Sequence, residues 1–249
     1  MERRLVDEQK YGFENYRVRD FINAFYTING AYSTIKEPSS PLLQFIGLVP
    51  LAAGIFVYLL LKKKWNHYFF SKKITKTSIL LFSPLLLVLL VIMVGNKGLN
   101  TSSMMNLLLM FIMQFFVVAF IEETFFRGFM LKILLSKGMK KSVLISSFLF
   151  GITHSLQLLG GQSLEDTILQ IIYAFLVGLV LSLLIINNQS IMLTITFHGF
   201  NNFLNFMGKV EGNIYVAYII IAILIVFTII LWKRTNKREN ILRELRNVS

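Results

Sequence analysis

No cysteine occurs anywhere in the chain, which excludes disulfides, thiolate metal sites and a cysteine nucleophile in one step. Charge is scarce as well. Only 15% of the 249 residues are Asp, Glu, Lys or Arg, and the 13 acidic residues are outnumbered by 25 basic ones, for a formal net charge of +12. By contrast, 55% of residues are hydrophobic and the mean hydropathy is +0.65, too apolar for a soluble domain of this length. No internal repeat, low-complexity tract or soluble domain is visible. The stretch MERRLVDEQKYGFENYRVRD has basic residues but no apolar segment behind them, so it does not read as a cleavable signal peptide.

What is there is a polytopic bundle of membrane helices. Apolar runs of spanning length, roughly 17–25 residues, lie near 42–61, 78–95, 104–135, 142–159, 167–187, 190–207 and 213–232. They predict an all-α fold of seven transmembrane helices, or eight if 21–32 forms a further spanning or half-embedded segment. The third run is about 48 Å long at 1.5 Å per residue, so it starts outside the bilayer, tilts strongly or breaks.

An excess of positive charge can mean nucleic acid or a membrane surface. Here the cations sit at the ends of apolar runs: Lys62, Lys63, Lys64, Lys72, Lys73 and Lys76 after the first, Lys137, Lys140 and Lys141 after the third, Lys233, Arg234, Lys237 and Arg238 after the last. The positive-inside rule makes those segments cytoplasmic and leaves 96–103, 160–166 and 208–212 outside. Lipid is therefore the expected partner, and nucleic acid is not. The resulting division is 1–41, an N-terminal segment whose side the sequence does not fix; 42–232, the membrane bundle; and 233–249, a basic tail. In that tail Ile241, Leu242 and Leu245 recur at helical spacing, as in a short amphipathic helix on the inner surface.

Ionisable groups inside a spanning segment cost about 2.5–3.5 kcal/mol each and are functional suspects by default. The runs hold Glu122, Glu123 and Arg127 in AFIEETFFRGFM, Lys132 near the inner end of the same run, His154 in FLFGITHSLQ and His198 in TFHGFNNFLNF. Counted from the cytoplasmic ends of their runs, Glu122, His154 and His198 lie at similar depth, roughly 12–20 Å at helical rise. One shared polar pocket is cheaper than three separate defects facing lipid. Glu123 and Arg127 are four apart and share a helix face, whereas Glu122 points elsewhere. Arg127 is thus expected to satisfy Glu123 and to leave Glu122 free for substrate. His198 and Asn202 are also four apart, and Phe150 lies one turn before His154, where it could wall the pocket. A carboxylate, two imidazoles and an amide suit amide-bond hydrolysis, with Glu122 and His154 activating water and His198 and Asn202 holding the oxyanion. Glu122, His154 and His198 are equally a ligand set for a hydrolytic zinc site. The sequence leaves both mechanisms open.

These residues resemble the signature of the CPBP family, the CAAX proteases and bacteriocin-processing enzymes also called the Abi family. Glu122-Glu123-x-x-x-Arg127 is similar to its EExxxR motif, Phe150-x-x-x-His154 to FxxxH and His198-x-x-x-Asn202 to HxxxN. The stretch Phe175-x-x-Gly178-x-x-x-Ser182 resembles a small-residue packing segment between the second and third motifs. The likeness covers roughly 104–207. It implies a multi-helix intramembrane endopeptidase of the CAAX prenyl endopeptidase kind, with Glu122 and His154 activating water, His198 and Asn202 at the oxyanion, and Glu123, Arg127 and Phe150 in support. Family members have been described as metalloproteases, and a metal-free glutamate mechanism has also been argued, so the implied cofactor is zinc or none. A Lys-, Asn- and Ile-rich composition fits a bacterial cell membrane. The expected substrate is a membrane-associated peptide, such as a bacteriocin or pheromone precursor, or a membrane protein. The competing expectation is a non-catalytic bacteriocin-immunity or scaffold protein of the membrane.

Overall fold

The structure, a computed structural model, describes residues 26, 28–30, 32, 33, 35, 36, 38, 40–210 and 213–248. From residue 41 onward the chain forms α1 (Pro41–Leu61), α2 (Lys76–Gly95), α3 (Met104–Lys137), α4 (Met139–Thr153), α5 (Leu164–Ile186), α6 (Ile191–Phe206) and α7 (Ile214–Val248). No β-strand occurs among the described residues; Leu99 and Gly208 make one isolated antiparallel bridge. The fold is all-α.

Among the described residues, five segments are long and apolar enough to cross a membrane: α1, α2, α3, α5 and Ile214–Asn240 of α7. The seven expected spans therefore reduce to five by this measure. The two that fall short are α4, with 15 residues, and α6, with 16. At helical rise they cover about 22–24 Å of a hydrocarbon core roughly 30 Å thick. The runs at 142–159 and 190–207 looked longer because their apolar composition continues past the α-helix. After Thr153 the chain tightens into a 3₁₀ segment from His154 to Gly160.

Local chemistry sets the helix ends. Thr75 and Ser78 form a reciprocal capping box at the start of α2, and Ser103, Ser163 and Ser190 cap α3, α5 and α6. Gly138, at φ +96°, provides the left-handed turn between α3 and α4. A 3₁₀ turn at Ile46–Leu48 interrupts α1. Pro50 has no N–H to give the Ile46 carbonyl, and the Asn29 side chain is wedged here instead, donating to the Gln44 carbonyl at 2.8 Å and accepting from the Gly47 N–H at 3.1 Å. Of the expected segment 21–32, residues 26, 28–30 and 32 are helical; the remainder lies outside the described residues, as do Arg3, Arg4, Lys10, Arg17 and Arg19.

The long third run does not break. It is one continuous helix whose middle is wound in two π-helical stretches, Met113–Ala119 and Thr124–Met130, on either side of Phe120–Glu123. Such wide turns are rare and gather at functional sites. Buried α5 packs along α4 and α7, α6 lies on the first π stretch of α3 and on α2, and α1 rests on α3. Small residues permit the close approach of α4 and α5: a Cβ on Gly178 would stand 3.0 Å from Ser147 Cα, and one on Gly151 would stand 3.1 Å from the Ile171 carbonyl. This is the packing expected of the Phe175–Gly178 stretch.

The two ends of the bundle differ. At one, the Asn96 amide donates to the Leu204 carbonyl at 2.9 Å and the Lys209 N–H to Asn96 and Gly98, joining two poorly charged loops. At the other, the basic loop after α1 meets the start of α6, with the Ile191 N–H on the Phe69 carbonyl. Here Arg238 donates to the Ile186 carbonyl at 2.6 Å, and Asn187 to Thr235 at 2.9 Å. The basic segments thus share one face, as positive-inside topology requires. The expected separate tail helix is instead a straight continuation of α7, because no Gly or Pro interrupts 214–248; the side chains of Ile241, Leu242 and Leu245 lie outside those described.

Candidate active site

The short α-helical piece between the two π stretches of α3 presents Glu122 and Glu123 to the bundle interior. Glu123 and Arg127 are both fully buried, and Arg127 Nη1 lies 3.0 Å from Glu123 Oε1. The i,i+4 pairing expected from the sequence is therefore present. The guanidinium N–H groups are not aimed well enough at oxygen to form hydrogen bonds; the plane sits instead over the Phe150 ring, Cζ 4.1 Å from its centroid. A desolvated cation over an aromatic face gains about 2 kcal/mol.

The carboxylate of Glu123 does more than neutralise Arg127. Its Oε1 also contacts His198 Nδ1 at 2.8 Å, which fixes the ring and directs its other nitrogen toward Glu122, with Nε2 to Oε2 at 3.5 Å. Glu122 is the more open of the two glutamates, its side chain 17% exposed against 0% for Glu123. One imidazole thus touches both carboxylates of the EExxxR pair. Sequence spacing had assigned Glu123 to Arg127 alone and missed this bridge.

His154 falls where α4 gives way to the 3₁₀ segment. Its Nδ1 donates to the Phe150 carbonyl at 3.1 Å, leaving Nε2 as the free nitrogen. Phe150, 2% exposed, stands edge-on to both histidines, with ring centroids 5.1 Å from His154 and 5.7 Å from His198. It separates the imidazoles and carries Arg127 on its face, so it is a divider as well as a wall.

Asn202 is half-buried and donates from Nδ2 to Gln114 Oε1 at 3.1 Å. Gln114, fully buried in the first π stretch of α3, was absent from the expected site because a search for ionisable groups passes over an amide. Its signal was a lone glutamine in the apolar run MMNLLLMFIMQFFVVAF. The phenol of Tyr26 is turned toward Glu122, although its hydroxyl makes no hydrogen bond of good geometry. Asn205 stays outside the site, its amide bonded back to the Asn201 carbonyl at 2.8 Å. His67 lies apart in the exposed loop after α1, where partial burial and then the charges of Lys132 and Lys64 hold its imidazole below the ordinary value. Lys132 approaches the Phe69 ring of that loop at 5.6 Å.

Among the described residues no three His, Asp or Glu side chains gather closely enough to hold a metal ion. His198 has one nitrogen on Glu123 and the other facing Glu122.

Compared with known families, residues 104–204 match the family described as Type II CAAX prenyl endopeptidase Rce1-like. No curated protein and no solved structure matches the chain. The matched stretch contains the two glutamates, Arg127, Phe150, both site histidines and Asn202; of the five long apolar helices, α3 and α5 lie within it and α1, α2 and α7 outside it. This is an integral membrane protein whose core, residues 104–204, is similar to the Type II CAAX prenyl endopeptidase Rce1-like family.

Proposed function

We propose that the protein is an intramembrane endopeptidase that hydrolyses one peptide bond of a membrane-associated peptide or protein, without a metal. The observation that carries this reading is the 3.5 Å approach of His198 Nε2 to the partly exposed Glu122, while Nδ1 is anchored on buried Glu123.

Glu122, with His154 beside it, takes a proton from a water molecule, and the resulting hydroxide oxygen bonds to the scissile carbonyl carbon. The carbonyl π pair moves onto oxygen. The oxyanion accepts N–H from His198 Nε2 and from the second hydrogen of Asn202 Nδ2, donors already held in place by Glu123 and Gln114. When the tetrahedral species collapses, the C–N bond breaks and the proton held by Glu122 passes to the leaving amine. Phe150 and Arg127 keep the two histidines apart and fix their faces. The bacterial cell membrane suits the composition, and a membrane-associated peptide precursor suits a site built among apolar helices.

The test compares peptide ends by quantitative mass spectrometry in cells carrying wild type or Glu122→Gln at matched membrane levels. Ends present only with wild type are expected and would name the substrate. Equal profiles would overturn the assignment of Glu122.

A further inference from the structure

The Asn202 amide has two faces, and only one serves an oxyanion. If Nδ2 and Oδ1 exchanged places, a carbonyl oxygen would oppose the developing negative charge. A line of buried and half-buried side chains from three helices decides between the two. The Tyr173 hydroxyl, from α5, donates to Asn201 Oδ1. Asn201 Nδ2 donates to Asn202 Oδ1 at 3.3 Å, Asn202 Nδ2 to Gln114 Oε1 at 3.1 Å, and Gln114 Nε2 to the Met110 sulfur at 3.5 Å.

The direction of this line follows from its ends. A thioether has no hydrogen, so Met110 can only accept. Gln114 must therefore turn Nε2 to it and Oε1 to Asn202, which in turn must offer Nδ2 to Gln114 and Oδ1 to Asn201. Asn201 then shows Oδ1 to Tyr173, whose phenol supplies the first hydrogen. Each amide is held at both ends, and reversing any one would set like against like in a low-dielectric interior.

We propose that Tyr173, Asn201 and Gln114 are positioning residues that fix the orientation of the Asn202 amide, so that its remaining Nδ2 hydrogen is presented to the oxyanion. The proposal rests on the peptidase reading above, and none of these three residues lies in the EExxxR, FxxxH or HxxxN positions. Their action runs through Asn202 alone.

That dependence is the test. The probe is an internally quenched peptide carrying a prenylated cysteine three residues from its C terminus, and kcat and KM are measured for Tyr173→Phe and Asn201→Leu, each alone and combined with Asn202→Ala. The two variants cut the line at different side chains, one on α5 and one on α6, so the test survives if either fails to fold. Each single change is expected to lower kcat roughly 10-fold, the effect of disordering one transition-state donor, with KM within about twofold. In the Asn202→Ala background each is expected to have no further effect. Losses that multiply with that of Asn202→Ala, or a rise in KM at constant kcat, would overturn the positioning role. A wild type inert on the probe, and with no peptide end of its own in cells, would overturn the peptidase reading and this inference with it.

Discussion

The Glu123–Arg127 pair can be dissected by charge. In Glu123→Gln the side chain keeps its size and an oxygen for His198, but Arg127 loses its counter-charge while remaining fully buried. Breaking a buried pair from one side costs about 3–5 kcal/mol. For a chain of this size each kcal/mol is worth roughly 2–4 °C in melting temperature, so a fall of about 6–20 °C is expected. Adding Arg127→Met removes the orphaned cation and keeps an apolar stem against the Phe150 face, where Arg127 Cζ now sits at 4.1 Å. The double variant is expected to recover to within about 2 kcal/mol of wild type, since replacing a buried pair by packed neutral groups is often harmless. Turnover should stay low, down about 10²–10³-fold, because His198 has lost the carboxylate that holds its Nδ1. Stability is read from the intrinsic fluorescence of Trp65 and Trp232 during a thermal ramp in detergent, and turnover from the prenylated probe. A single variant as stable as wild type would refute the buried ion pair. A stable double variant with full turnover would refute the anchoring of His198 by Glu123.

Exhaustive chelation should leave the rate on the same probe unchanged, because the histidines and Glu122 do not gather around a common point; loss of activity restored by added zinc would contradict the metal-free mechanism. Gly178→Leu should destabilise by about 1–3 kcal/mol through overpacking, since even a Cβ there meets the Ser147 backbone at 3.0 Å. It should also lower activity, because α4 carries Phe150 and His154; normal melting and turnover would show that the two helices need not touch.

Much of the site was legible because charge in a membrane has few excuses. Glu122, Glu123 and Arg127 were conspicuous by cost, and the four-residue spacing foretold which glutamate meets Arg127. The bridging by His198 was not legible, since a histidine three helices further along the chain could choose either glutamate, and adjacent residues on an ideal helix diverge by about 100°. The π winding around Phe120–Glu123 leaves no trace in a run that is apolar on every side, where periodicity has nothing to contrast. Gln114, Asn201 and Tyr173 escaped because neutral polar groups are tolerated in bundles and carry no charge to mark them. The lengths of α4 and α6 were overestimated for the same reason: hydropathy counts apolar residues whether or not they remain in the α-helix.

The order in which partners are synthesised differs for the two glutamates. Glu123 and Arg127 lie one turn apart on the same helix, so that pair can close as soon as α3 is wound, before any other element of the site exists. Its cost of entering lipid is shared within a single nascent segment. Glu122 has no such neighbour on α3, and the imidazole it faces belongs to α6, 75 residues beyond Glu123. The structural charge is therefore settled during insertion, whereas the working carboxylate acquires its setting only when the bundle assembles around it.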